Sequence, residues 1–143
     1  MSPQERAEHC AEIMWKNDTA SKWLGMKLDT VGPGTATLSF QVDNHHLNGH
    51  HICHGGYIFA LADSAFAFAC NSYNQRAVAQ HNQISFLLSC HKGEKVIAHA
   101  IEKTKMGRTG IYDVQVVNSN GSDVALFRGI SRIIKGQHFE EAS

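Results

Sequence analysis

A chain of 143 residues suits one domain, since a domain of about that size buries roughly two-thirds of its unfolded surface unaided. Thirteen Lys and Arg balance thirteen Asp and Glu, which leaves no basic field for nucleic acid and no acidic run of a disordered tail. The four cysteines form no C-x-x-C pair, the start MSPQERAEHC is charged where a signal peptide is apolar, and the longest apolar run, 57–70, is too short to span a bilayer. A soluble, cytoplasmic protein with free thiols and no membrane partner is the expectation.

Ser2-Pro3-Gln4-Glu5 predicts a helix start, with Ser2 as N-cap, Pro3 in the first turn and Glu5 placed to complete a capping box. That helix should reach about Lys16. Asn17 or Asp18 then caps a short second piece that packs Trp23 and Leu24 before Gly25 ends it, so residues 1–24 form a helical lead-in. From Met26 the period changes to that of strands: 26–31, a turn at Gly32-Pro33-Gly34, then 35–42 with Ala36, Leu38, Phe40 and Val42 on one face. After a histidine-rich loop, residues 54–72 return to helical spacing through Ile58, Leu61, Ala62, Ala65, Phe66 and Ala69. Four further strand-like runs follow, near 77–88, 95–105, 110–118 and 124–134. Their spacers are too short for a crossover helix, which predicts an antiparallel meander.

The sum is a single α+β domain over 1–143: one long central helix wrapped by an antiparallel sheet of about six strands, with 137–143 as a flexible tail. One helix covers one sheet face. Val114 and Val116 on one side of their strand and Ile111 and Val117 on the other therefore predict self-association.

Asp63 is the oddity, the one carboxylate in an apolar helix with no basic residue inside that helix to pair with it. Ionised and unpaired in a core it would cost several kcal/mol, so it must be partnered, protonated or facing a cavity. Gly55-Gly56 at the helix start leaves the first backbone N–H groups open to close approach, a donor site for an oxyanion or polarised carbonyl. Eight residues of helix separate Gly55 from Asp63, about 12 Å along the axis, too far to touch one reacting atom within one chain. If both serve one reaction, a second copy must bring its glycine turn to this copy's aspartate. The plainer alternative is a buried structural acid and a tight turn, and from the residues alone both stay open.

The stretch 47–63, L-N-G-H-x-x-x-H-G-G-x-x-x-x-L-A-D, resembles the hotdog-fold acyl-CoA thioesterases and is most similar to their phenylacetic-acid-degradation branch. Gly107-Arg108-Thr109-Gly110, Tyr112-Asp113 and Val124-Ala125-Leu126-Phe127-Arg128-Gly129 extend the match to nearly the whole chain from about residue 14. The resemblance implies a hotdog fold, a homodimer that forms the active site and a homotetramer of two such dimers. It implies hydrolysis of acyl-CoA thioesters, phenylacetyl-CoA or its ring-hydroxylated forms among them, with CoA as part of the substrate and no separate cofactor. Carried over by position, Asp63 is the catalytic carboxylate, Asn48 orients water or substrate, Gly55 donates its N–H to the thioester carbonyl and His54 supports the site. Gly56, Arg108, Thr109 and Gly110 are implied at the substrate or CoA, with Lys103, Lys105 and Arg132 as weaker candidates. Relatives often end the strand after the helix with Arg-Pro; here Phe86-Leu87-Leu88-Ser89 stands there, so a polar contact found in some relatives is expected to be absent.

Three rival chemistries remain on the sequence. His45, His46, His50, His51, His54 and Cys53 carry zinc-ligand groups, but at no common zinc spacing, so no metal is expected. Cys53 sits just before a helix N-terminus, where a thiolate could be stabilised as a nucleophile. Hydration of enoyl thioesters, or acyl-CoA binding without turnover, could use the same pocket. A carboxylate beside the acyl group favours catalysis over mere binding of an anionic ester.

Overall fold

The computed structural model describes residues 1–141. Helix α1 (Pro3–Lys16) starts where Ser2 Oγ accepts the Glu5 N–H at 3.1 Å, with Pro in its first turn. Its buried face is Ala7, Cys10 and Ala11, and Gln4 Nε2 donates to Val31 O at 2.7 Å, fastening it to the first strand. Asp18 caps α2 (Thr19–Trp23) by accepting from the Ser21 N–H and hydroxyl at 2.9 and 2.7 Å. Leu24 packs as expected, whereas Trp23 is 66% exposed, its ring set edge-on to that of His45.

Six strands, β1 (Lys27–Gly32), β2 (Thr35–Gln41), β3 (Ala77–Phe86), β4 (Lys95–Met106), β5 (Thr109–Asn118) and β6 (Asp123–Ile133), form one antiparallel sheet. Its order is β1-β2-β4-β5-β6-β3, which corrects the predicted meander. Of the four strands after the helix, β4, β5 and β6 follow in sequence; β3 pairs with β6 at the far edge, and β4 takes the place beside β2. The spacer 87–94 excludes a helix but not a jump: eight extended residues reach about 26 Å, and three strand spacings need only ~14 Å. It crosses the start of the central helix, where Leu87 N donates to Val124 O at 2.9 Å and Cys90 O accepts from Cys53 N at 2.8 Å.

Helix α3 (Gly55–Cys70) lies in the curl of the sheet against β2, β4 and β5, flanked by β3 and β6. Alanines on both sides make the approach close: Ala62, Ala65 and Ala69 on the helix and Ala36, Ala98 and Ala100 on the strands are all buried. Gly129 of β6 continues this logic, because a Cβ there would lie 2.8 Å from the ring of Phe66. No described helix is long and apolar enough to cross a membrane.

Two polar anchors hold the periphery. His46 is 1% exposed; its Nδ1 accepts from the Asp43 N–H at 2.9 Å, so Nε2 carries the proton and donates to Leu24 O at 2.9 Å. Burial holds its pKa below the ordinary 6.5. The unfolded chain therefore binds a proton that the folded one resists, and this contribution to stability is present above the unfolded value and lost as pH falls through it. His138, also held below 6.5 by burial and then by Arg76, adds in the same direction. Calorimetric Tm should fall as pH drops from about 7.5 to about 5.5, and less steeply in His46→Gln; equal slopes would refute the assignment.

The second anchor corrects the predicted tail. Residues 137–141 are tied to the loop after α3: Asn74, 1% exposed, accepts from His138 N and Phe139 N at 3.0 and 3.2 Å and donates to Phe139 O at 2.9 Å. Glu141 then pairs with Arg6 of α1 at 2.7 Å. The remainder of that tail, 142–143, lies outside the described residues.

Candidate active site

Asp63 projects from α3 into a cavity of about 510 Å³ between the helix, α1 and the first turn of β3, with Met14, Phe66, Ala67, Cys70, Ala77 and Ala79 among its walls. Asn71, Arg76 and His138 add polar groups to the lining. Burial pushes the Asp63 carboxyl above the ordinary carboxylate range, and one hydrogen bond opposes it: Asn82 Nδ2 of β3 donates to Asp63 Oδ1 at 2.8 Å. Asn82 was not among the residues picked out from the sequence. Its signal is the paired register of β3, which only the fold supplies.

The other residues picked out from the sequence sit at the N-terminal end of the helix. His54 caps α3 with extended backbone, and its Nδ1 accepts the Gly56 N–H at 2.9 Å. Gly56, expected at the substrate, therefore has its N–H taken within its own chain. The Gly55 N–H is one of the first-turn donors a helix cannot satisfy itself, and no described residue accepts from it. The missing side chain matters here too, since a Cβ on Gly55 would lie 3.1 Å from Phe86 Cζ. Asn48 lines the same cavity of about 300 Å³ as Gly55, together with Ile58, Phe86 and Leu88. Its Oδ1 accepts from His50 N at 2.9 Å and from Ile52 N at 3.4 Å, which fixes the loop and leaves its amide nitrogen without a protein partner among the described residues.

Within one chain, then, Asn48 and Gly55 share one cavity, His54 and Gly56 line a neighbouring one with Trp23, Leu24 and Tyr57, and Asp63, bonded to Asn82, stands apart in a third. Arg108, Thr109 and Gly110 occupy the β4–β5 turn and the start of β5 and line none of these cavities. Gly110 is a packing glycine: a Cβ would lie 2.7 Å from Ser131 Oγ and 2.8 Å from Tyr112 Cε1.

Two rival readings meet contrary geometry. Cys53 is 4% exposed and burial pushes its thiol up to about 12, the reverse of an activated nucleophile. The loop histidines diverge, His46 into the core and His54 onto the helix, and no three described His, Cys, Asp or Glu side chains converge as a metal-holding group.

Comparison with known proteins agrees with this architecture. The thioesterase superfamily pattern matches residues 50–125. The acyl-coenzyme A thioesterase PaaI of Escherichia coli (strain K12) is 42% identical over 132 residues, 92% of this chain and 94% of that protein. The solved structure of the E. coli PaaI protein from the phenylacetic acid degradation operon superposes with a TM-score of 0.93 at 40% identity, covering 95% of this chain and 99% of that one. A mutant of the phenylacetic acid degradation protein PaaI from Thermus thermophilus superposes at 0.79 and 38% identity, over 82% of this chain and all of that one. The sheet curled around one long helix is the hotdog fold.

Proposed function

The chain belongs to the thioesterase superfamily, in its PaaI-like branch, and from that membership we propose that it hydrolyses acyl-CoA thioesters with aromatic acyl groups, phenylacetyl-CoA and its ring-hydroxylated forms among them. The observation that carries the mechanism is the split between the open Gly55 N–H and the half-buried Asp63 carboxylate at different cavities of one chain. A homodimer that places the glycine turn of one copy over the aspartate of the other joins them. The ten-residue edge strand β3 suits that role, with Val78, Phe86, Leu87 and Leu88 each about half exposed on or just after it. The open outer sheet face, where Ile101 and Leu126 are exposed, is available to pair dimers into a tetramer.

In the joined site the Gly55 N–H, aligned with the α3 dipole, polarises the thioester carbonyl and stabilises the oxyanion that forms. Asp63 as general base takes a proton from water while the water oxygen bonds to the carbonyl carbon. The tetrahedral intermediate collapses, the C–S bond breaks, and the departing CoA sulfur receives a proton, leaving acid and free thiol. Direct attack by the Asp63 carboxylate, through an anhydride that water then opens, gives the same products. No cofactor enters either route. The cavity beside Asp63 is of ordinary ligand-pocket size and largely apolar, and its polar groups suit a hydroxylated ring.

Thiol release from a panel of aromatic and aliphatic acyl-CoAs tests the reading. Phenylacetyl-type esters should exceed acetyl-CoA in kcat/KM by about 10-fold or more. Loss of enoyl absorbance without thiol would identify a hydratase instead, and binding without any turnover a carrier.

A further inference from the structure

The β3 strand carries a bulge between Ala79 and His81 where it pairs with β6. Before the bulge, Ala77 and Ala79 lie opposite Ile133 and the buried Ser131, and with Val78 they border the Asp63 cavity; after it, Asn82 and Ile84 lie opposite Gly129 and Phe127, whose positions, like that of Ser131, face the helix. The extra residue thus reverses the strand's parity and turns Asn82, rather than His81, toward α3. There Asn82 makes one side-chain hydrogen bond, to Asp63 Oδ1 at 2.8 Å, and its own Oδ1 is buried without a donor among the described residues. A buried acceptor left unpaired is unfavourable, so stability alone would prefer an apolar side chain here. The bond to Asp63 is what the amide contributes.

We propose that Asn82 is a positioning residue for thioester hydrolysis: its amide N–H fixes one oxygen of the Asp63 carboxylate, turns the other toward the reacting centre and favours the ionised form the reaction uses. This rests on the thioesterase reading. The other ionisable groups lining the cavity are Cys70 on α3, Arg76 before β3 and His138 in the C-terminal segment, and none of them hydrogen-bonds Asp63. Burial and Asn82 therefore set its ionisation between them, in opposite directions.

Two full-length variants test this by the pH profile of kcat/KM and by carbon NMR titration of the Asp63 carboxyl. Asn82→Ala should lower kcat about 10-fold and move the acid limb to higher pH, because the bond that favours the carboxylate is gone. Asn82→Asp keeps the shape but sets a second carboxyl beside Asp63, and should move the limb further the same way. The carboxyl titration should follow the limb in both. An active wild type with an unmoved limb and titration in both variants overturns the role of Asn82 and leaves the thioesterase reading standing. A wild type without thiol release on any ester overturns both.

Discussion

Asp63→Asn should lower kcat/KM for thioester hydrolysis by about 10³-fold while the protein stays folded and assembled. The substitution keeps the side-chain shape and the Oδ1 acceptor, so Asn82 can still donate to it. What disappears is the negative charge. Because burial raises the carboxyl's pKa above its unfolded value, protonation favours the folded state, and the contribution to stability present at low pH is lost as pH rises through the folded value. At neutral pH the ionised group therefore opposes folding, and the neutral amide should raise Tm slightly or leave it unchanged. Scanning calorimetry beside the thiol assay checks both parts; undiminished turnover in the purified variant would remove Asp63 from the mechanism. The same sign predicts that wild-type activity declines on the acid side above the ordinary carboxylate range, centred on 3.8.

Gly55→Pro should lower kcat by about 10²-fold to 10³-fold, the loss typical when one oxyanion donor is removed. Proline deletes the N–H and little else, since Gly55 is the first residue of α3, where proline's fixed φ suits the helix, and His54 before it already has φ −60° and ψ 131°. The ring must displace Phe86, whose side chain is 53% exposed and free to turn. Combined with Asp63→Asn, the variant also tests the two-chain site. Mixed dimers of the two dead proteins contain one site with both lesions and one with neither. Random reassociation should then restore about a quarter of wild-type activity, whereas a site within one chain would restore none.

The local elements were readable because their signals are local. Ser2 and Asp18 cap helices by side chains three residues from their targets, and α3 shows its period in eight buried apolar residues. Strand order was not readable in the same way: 87–94 is long enough for β3 to stop beside β4 or to jump past it, and pairing to a strand nearly forty residues later decided the matter. Asp63 and Gly55 announced themselves as a charge and a glycine pair where helix propensity wants neither. Asn82 announced nothing, because an asparagine in a polar stretch of strand looks solvent-facing until the bulge after Ala79 is known. His46 was equally hidden among five neighbouring loop histidines and cysteines, although it alone of the loop histidines is buried with both ring nitrogens bonded.

The position of β3 has a consequence for synthesis. Among the described residues its one strand partner is β6, which begins at Asp123, so on the ribosome β3 waits unpaired while β4 and β5 emerge and settle against β2. The Asp63–Asn82 bond depends on that last pairing. A nascent or truncated chain ending before β6 holds its aspartate on a formed helix without the amide that aims it, and carries a strand with both edges open to pairing. Ordering of the carboxylate and closure of the sheet are thus one event, set by the emergence of β6.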